Sequence, residues 1–360
     1  MKILTVVGAR PQFIKAAVVS RKLRDVHNEV LVHTGQHYDY DMSEIFFEEL
    51  SIPHPDYSLG IAGGSHARMT GDMMIRLEEV MLAEKPDFVL VYGDTNSTLA
   101  AALTAVKLHI PIGHVEAGNR LGTLNNPEEI NRICTDHVSQ LLMCCTQSAF
   151  DFLVREGLEK RASFIGDPMY DAFLFYGERL PQNVLTNIFD RSGQKWGGVL
   201  KDYYYLTCHR EENTLSDKPL FEILKAMQSL DAPTIYPVHP RNMKTVHQLC
   251  KTNNYSNILF IKPVGYLSSI ALIKGSKKIV TDSGGVQREA FFAKKQCVTI
   301  FDYVIWPETM VGNANQLARA EAEDILCKLS VKVAWDLFYK PFGNGDAAKK
   351  ITEAITSYSM

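Results

Sequence analysis

The chain reads as an α/β protein built from two doubly wound domains. Short apolar runs alternate with longer amphipathic segments from one end to the other, the pattern of parallel sheets covered by helices on both faces. Polar or glycine-bearing turns follow many of the apolar runs, and the carboxyl ends of parallel strands are where such sheets hold ligands. At 360 residues the chain is longer than one core usually organises, which favours two domains.

In the first half the strands read as ILTVVG, EVLVHTG, FVLVYGD, PIGHVEA, LLMCCT and SFIG. Helical periodicity covers 11–24, 66–84, 97–107, 127–139 and 147–156 between them. The second half repeats the scheme with YYYLTC, TIYPV, ILFI, KKIV and CVTIF. Gly166-Asp167-Pro168 closes the first strand series, so a first domain is expected over 1–167 and a second over 168–345. The last helix, 346–358, is expected to return to the first domain.

Hydrophobic residues make up 46% of the chain and charged ones 22%, an ordinary balance for a soluble α/β protein. The net charge is −3 with both signs interspersed, so neither nucleic acid nor a membrane surface is expected as partner. A small molecule is. The opening MKILTVVGARPQF has an apolar run too short for a secretory segment and reads as a first strand. Seven scattered cysteines without CxxC spacing argue against a disulfide framework or a zinc site and fit a reducing cytoplasm. Cys144 and Cys145 read as buried strand residues.

Candidate chemistry sits after strands. Thr281-Asp282-Ser283-Gly284-Gly285 joins KKIV to a helix-like segment, and such a turn directs backbone N–H groups at an anion, although an ordinary βα turn has the same look. Arg10 and Lys15 follow the first strand; Arg10 could fork a diphosphate or simply cap a turn. Asp94 ends the third strand and is an acid candidate or an N-cap. His114 and Glu116 are expected to share a strand face, and Glu128 and Glu129 open a helix that also bears Arg132. Carboxylates so placed are expected to repel, one of them keeping its proton as an acid while another serves as base. His209 ends YYYLTC near the glycine turn, placed to assist a leaving diphosphate. His239, in YPVHPRN, and Glu289 follow two further strands. With these cationic groups present, no metal is expected.

With these residues quoted, the chain resembles the non-hydrolysing UDP-N-acetylglucosamine 2-epimerase family, including its UDP-2,3-diacetamido-glucuronate branch. The likeness runs through GARPQFIK, TGQH, YGDTNSTLAAALTA, HVEAG, PEEINR, CHREEN, YPVHPRN, TDSGGVQREA and KPFGNGDAAKKI, over nearly the whole chain. The resemblance implies a GT-B architecture, two Rossmann-like domains with a UDP-sugar held in the cleft between them, no cofactor, and a homodimer. It also implies anti elimination of UDP to a bound 2-acetamidoglucal and re-addition with the C2 proton delivered to the other face. Under it, Asp94, Glu116 and Glu128 are the acid/base carboxylates, and His209 serves the leaving group. Arg10, Lys15, Ser283, Gly284, Gly285 and Glu289 hold diphosphate and ribose, with Arg132 and His239 also in the substrate-binding set.

The departures from the family pattern are specific. Ala9 and Gln12 stand where the family usually has Thr and Glu, as in the diacetamido-glucuronate branch. Phe301 and Ile305 replace an arginine and an acid, which predicts a less polar sugar pocket, and the loop from Asn119 to Thr123 is unusual. Gln36 and His37 persist from a motif at which some members bind an activating nucleotide sugar, but Tyr38 and Asp39 follow, so such activation is not assumed for this chain.

Overall fold

A computed structural model describes residues 1–36, 48–180, 190, 194–195 and 202–358. Within them the chain forms two units, Met1–Phe175 with Lys340–Met360, and Tyr176–Tyr339. The change of unit falls inside the helix Pro168–Gly177, whereas the sequence reading sets it just before that helix.

The first unit is a seven-stranded sheet in the order β3-β2-β1-β4-β5-β6-β7. Its strands are β1 (Lys2–Val7), β2 (Asn28–His33), β3 (Tyr57–Ser58), β4 (Phe88–Tyr92), β5 (Ile112–Val115), β6 (Leu141–Cys144) and β7 (Ala162–Phe164). The second is a six-stranded sheet in the order β10-β9-β8-β11-β12-β13. It comprises β8 (Tyr204–Thr207), β9 (Thr234–Pro237), β10 (Ile258–Ile261), β11 (Lys278–Thr281), β12 (Gln296–Thr299) and β13 (Asn315–Leu317). Pairings throughout both sheets are parallel. Neighbouring strands must therefore be joined by crossovers, which the helices provide.

Strand order reverses between β1 and β4 in one sheet and between β8 and β11 in the other. Loops leaving the two strands at such a point diverge to opposite faces of the sheet and open a crevice. The loops concerned are 8–9 and 93–95 in the first unit, and 208–210 and 282–283 in the second.

Beneath each crevice lies a closed apolar core. Leu4, Val6, Val89 and Val91 pack against Ala100, Ala101, Met73 and Leu77 in the first unit. Leu206, Val280 and Val298 pack against Leu220, Ile223 and Leu224 in the second. The C-terminal helix Ala347–Tyr358 lies against the helix Arg10–Leu23, with His27 Nε2 2.8 Å from Thr356 Oγ1. None of the described helices is long and apolar enough to cross a membrane.

Candidate active site

The β1 turn is closed by Gln12 rather than by a charged cap. Its Oε1 accepts from the N–H groups of Gly8 at 2.7 Å and Ala9 at 3.0 Å. Its Nε2 donates to the Tyr92 carbonyl at 2.6 Å and to Thr98 Oγ1 at 2.9 Å, so one amide ties the β1 loop to the end of β4. A glutamate accepts as well but offers Tyr92 no proton when ionised. Gly8 is demanded by space: a Cβ there would lie 2.2 Å from Ser97 Oγ and 2.3 Å from Thr34 Oγ1. Ser97 in turn donates to Gln36 Oε1 at 2.7 Å, while His37, Tyr38 and Asp39 lie outside the described residues.

Arg10 opens the helix Arg10–Leu23, half-buried, and Lys15, one turn on, is fully buried. The Lys15 ammonium is hydrogen-bonded to Glu116 Oε2, and a buried lysine is tenable only with such a partner. Glu116 lies just past the end of β5 with φ of 74°. The expectation that strand alternation puts it on a face with His114 therefore needs correction, because the strand geometry has ended at Val115. Glu116, Cys145 and Asp167 each bring a possible metal-ligand atom within 4.8 Å of the others, with Lys15 already supplying a cation at Glu116.

Asp94 is not the N-cap of the next helix. Thr95 is, accepting from Thr98 N at 3.2 Å, which releases the Asp94 carboxylate to Arg132 Nη2 at 2.6 Å. The same guanidinium reaches Glu129 at 2.8 Å, and Glu129 also accepts from Leu121 N and Gly122 N. Asn131 donates to the Asp94 carbonyl at 2.9 Å and steadies that loop. Glu128, by contrast, is exposed in the first turn of the helix Pro127–Val138. The repelling trio anticipated from sequence is thus replaced by carboxylates each set on a cation, Glu116 on Lys15 and Asp94 on Arg132.

Behind these groups lies a buried network that sequence reasoning missed. His114 Nδ1 is 2.6 Å from Asp136 Oδ1, and Nε2 is 2.7 Å from the Gly93 carbonyl, which can only accept. Asp136 also accepts from Gly118 N at 3.1 Å and pairs with Arg120 at 2.8 Å. Burial alone would raise the Asp136 carboxyl, but His114 and Arg120 hold it below the usual carboxylate range. Arg120 forks Glu156 with bonds of 2.7 and 2.8 Å, which gives the unusual 119–123 loop its anchor. One carboxylate therefore braces the loops after both β4 and β5. The bonds cross 18 and 22 residues, beyond any local pattern.

In the second unit the organising residue is Asp282, to which the sequence reading gave no role beyond its place in the glycine turn. Its carboxylate accepts from His209 N at 3.0 and 2.9 Å and from Arg210 N at 2.9 Å, and faces His209 Nδ1 at 3.1 Å. Burial opposes this ionisation, yet His209 and the backbone donors bring the Asp282 carboxyl down to about 2. With Nδ1 committed to Asp282, Nε2 is the nitrogen that His209 has left for a ligand.

The His239 ring lies 5.6 Å from that of His209, and its Nδ1 accepts from Arg241 N at 3.3 Å. Ser283 caps the helix Gly284–Phe292 by accepting from Val286 N at 3.4 Å, and its hydroxyl proton stays available to an anion. A Cβ on Gly284 would meet only side-chain atoms of Trp306 and Ile305, at 3.6 Å or beyond. Gly285 is partly accessible in the first turn, and Glu289, further along, is buried. Phe301 is buried too, but the loss of polarity expected there is incomplete, because the Arg210 guanidinium lies over its ring.

Each of the two Rossmann-like units thus carries ionisable side chains at its own switch point: carboxylates paired with Lys15 and Arg132 in the first, and His209 held on Asp282 beside the start of the helix Gly284–Phe292 in the second. Fold and residues define a GT-B-like enzyme of the nucleotide-sugar class. The family model described as UDP-N-acetylglucosamine 2-epimerase matches residues 21–356, and the chain belongs to that family. It is an isomerase, a UDP-sugar 2-epimerase.

Among its relatives, a UDP-2,3-diacetamido-2,3-dideoxy-D-glucuronate 2-epimerase of Pseudomonas aeruginosa is 45% identical over 366 residues, covering 99% of each chain. A UDP-N-acetylglucosamine 2-epimerase homolog of Methanococcus maripaludis is 44% identical over 359 residues, again covering 99% of each. The crystal structure of Methanocaldococcus jannaschii UDP-GlcNAc 2-epimerase in complex with UDP-GlcNAc and UDP superposes with a TM-score of 0.88 at 38% identity. That match covers 99% of this chain and 100% of the other.

Proposed function

We propose that the protein interconverts UDP-N-acetylglucosamine and UDP-N-acetylmannosamine without hydrolysis. In this reading a carboxylate of the first unit takes the C2 proton as the C1–O bond to UDP breaks, leaving a bound 2-acetamidoglucal. UDP then adds back at C1 while a second acid returns a proton to the opposite face of C2. The acid/base candidates are Asp94, Glu116 and Glu128. His209, with Ser283, Gly284 and Gly285, supports the departing diphosphate; Arg10, Lys15, Arg132, His239 and Glu289 complete the binding set.

The observation that carries the reading is the pairing of Glu116 with Lys15 and of Asp94 with Arg132 at the β1/β4 switch point. It supports the reading because it fixes the positions of two carboxylates, and fixed charges lower the cost of charge development in the transition state. A homodimer in the cytoplasm, feeding surface polysaccharide synthesis, belongs to the same proposal.

Proton NMR in D₂O with UDP-N-acetylglucosamine tests it. The manno epimer carrying deuterium at C2 is expected. Free N-acetylmannosamine with UDP would make the enzyme a hydrolysing relative instead, and transfer of the sugar to an acceptor would make it a GT-B glycosyltransferase. A second substrate reading, a UDP-2-acetamido uronic acid, is favoured by Phe301 and Ile305 and by the glucuronate enzyme among the relatives.

A further inference from the structure

His66 opens the helix His66–Glu84 and is exposed. Gly63 and Gly64 before it take left-handed φ values of 73° and 90°, and Ser65 caps the helix by accepting from Arg68 N at 3.3 Å. The imidazole is nonetheless held. Its Nδ1 lies 3.0 Å from Asn96 Nδ2 and 3.3 Å from Asn96 Oδ1, at the start of the helix Asn96–Lys107. Asn96 Oδ1 in turn lies 3.3 Å from Asn131 Nδ2, which is also 2.9 Å from the Asp94 carbonyl. Both asparagines are buried. These side chains form a line from the backbone of the Asp94 loop out to an exposed imidazole.

Donor and acceptor are fixed along that line. A carbonyl only accepts, so the Asn131 atom facing Asp94 is the amide nitrogen. The same nitrogen gives its other hydrogen to Asn96 Oδ1, which leaves Asn96 Nδ2, the nearer of its two amide atoms, to donate to His66 Nδ1. An imidazole nitrogen that accepts carries no hydrogen, so the N–H of the ring is on Nε2. None of the described residues bonds that nitrogen. His66 therefore offers a donor of set polarity at the rim of the β1/β4 crevice, joined through two asparagines to the backbone of Asp94.

Such a donor is matched by an oxygen that only accepts. Hydroxyls of a sugar ring both give and take, whereas the carbonyl of a 2-acetamido group only accepts. That group hangs from C2, the carbon at which the carboxylates beside this line exchange a proton in the epimerase reading. Holding its carbonyl sets the rotation of the substituent and with it the direction of the C2–H bond.

We propose that His66, through its Nε2–H, binds the 2-acetamido carbonyl of the nucleotide sugar and orients C2 for proton transfer. The proposal rests on the epimerase reading above and adds to it a substrate-contacting residue that lies outside the motifs carrying the resemblance.

The test compares His66→Leu, His66→Asn and His66→Gln, using whichever of UDP-N-acetylglucosamine and UDP-2,3-diacetamido-2,3-dideoxyglucuronate the wild type epimerises. The Asn amide reaches only as far as Nδ1 and keeps the link to Asn96, whereas the Gln amide nitrogen reaches the position of Nε2. In His66→Leu and His66→Asn, kcat/KM is expected to fall roughly threefold to tenfold, the range of one neutral hydrogen bond, and in His66→Gln to return towards wild type. Calorimetric affinity for UDP and for UDP-glucose, neither of which carries an acetamido group, is expected to stay unchanged in all three. Wild-type kcat/KM in His66→Leu overturns the assignment, as does a loss that His66→Asn restores or His66→Gln leaves in full. An equal loss of affinity for UDP or UDP-glucose overturns it too, by placing the contact elsewhere on the nucleotide sugar. Wild-type turnover of neither substrate overturns the epimerase reading itself.

Discussion

Lys15 and Glu116 are sequestered together, and neither charge is stable alone in such surroundings. Lys15→Met is expected to destabilise the fold by about 3–5 kcal/mol, the usual effect of stripping one member from a buried pair. A urea unfolding midpoint within error of wild type would show that Glu116 does not depend on the ammonium. For activity, Asp94→Asn, Glu116→Gln and Glu128→Gln are each expected to lower turnover by ~10²–10⁴-fold, as for well-placed acids and bases. Full activity in Glu128→Gln alone would remove that exposed residue from the mechanism and turn attention to its neighbour. Adjacent glutamates on a helix point about 100° apart. In this protein Glu129 is the one that turns inward to Arg132, a distinction that the dipeptide Glu128-Glu129 does not carry by itself.

At the scale of elements, the turn after β1 is the least forgiving. Gly8→Ala would drive a methyl into Ser97 and Thr34, whose hydroxyls lie 2.8 Å apart. Over-packing of this kind is expected to cost roughly 1–3 kcal/mol, read from thermal unfolding, and to lower activity because Ser97 and Gln36 shift together. A neutral outcome would mean that the β1 and β4 loops can part more easily than their hydrogen bonds suggest. Apolar runs revealed eleven strands because buried parallel strands must be apolar on both faces. The two that escaped notice are edge strands, Tyr57–Ser58 and Asn315–Leu317, too short or too polar to form such a run. The site was legible to the extent that it lies in loops straight after strands. Asp136, Arg120 and Asp282 were not, since their partners are chosen by the folded sheet and come from distant parts of the chain.

For the molecule as a whole, two buried carboxyls pull its pH response in opposite directions. Asp282, held near 2 when folded, contributes stability that is present above an unfolded value near 3.9 and is lost as pH falls through about 2. Asp171 accepts from Ala348 N at 2.8 Å at the start of the C-terminal helix, and burial lifts its carboxyl to about 6. In the folded state it keeps its proton while the unfolded chain has lost it, so stability from this residue falls as pH rises from about 4 to about 6. Asp171→Asn is expected to flatten that part of the curve and to raise the melting temperature at pH 8 relative to pH 4; an unchanged profile would assign the slope elsewhere. The C-terminal helix has a further consequence on the ribosome. The first unit is made of Met1–Phe175 and Lys340–Met360, with the second encoded in the interval. During synthesis the earlier unit must wait, on the order of ten seconds or more at ordinary elongation rates, for the helix that covers Arg10–Leu23. The later unit has no such wait, so the nascent chain is expected to complete its second domain before its first, with chaperones meeting the uncovered N-terminal helix in the meantime.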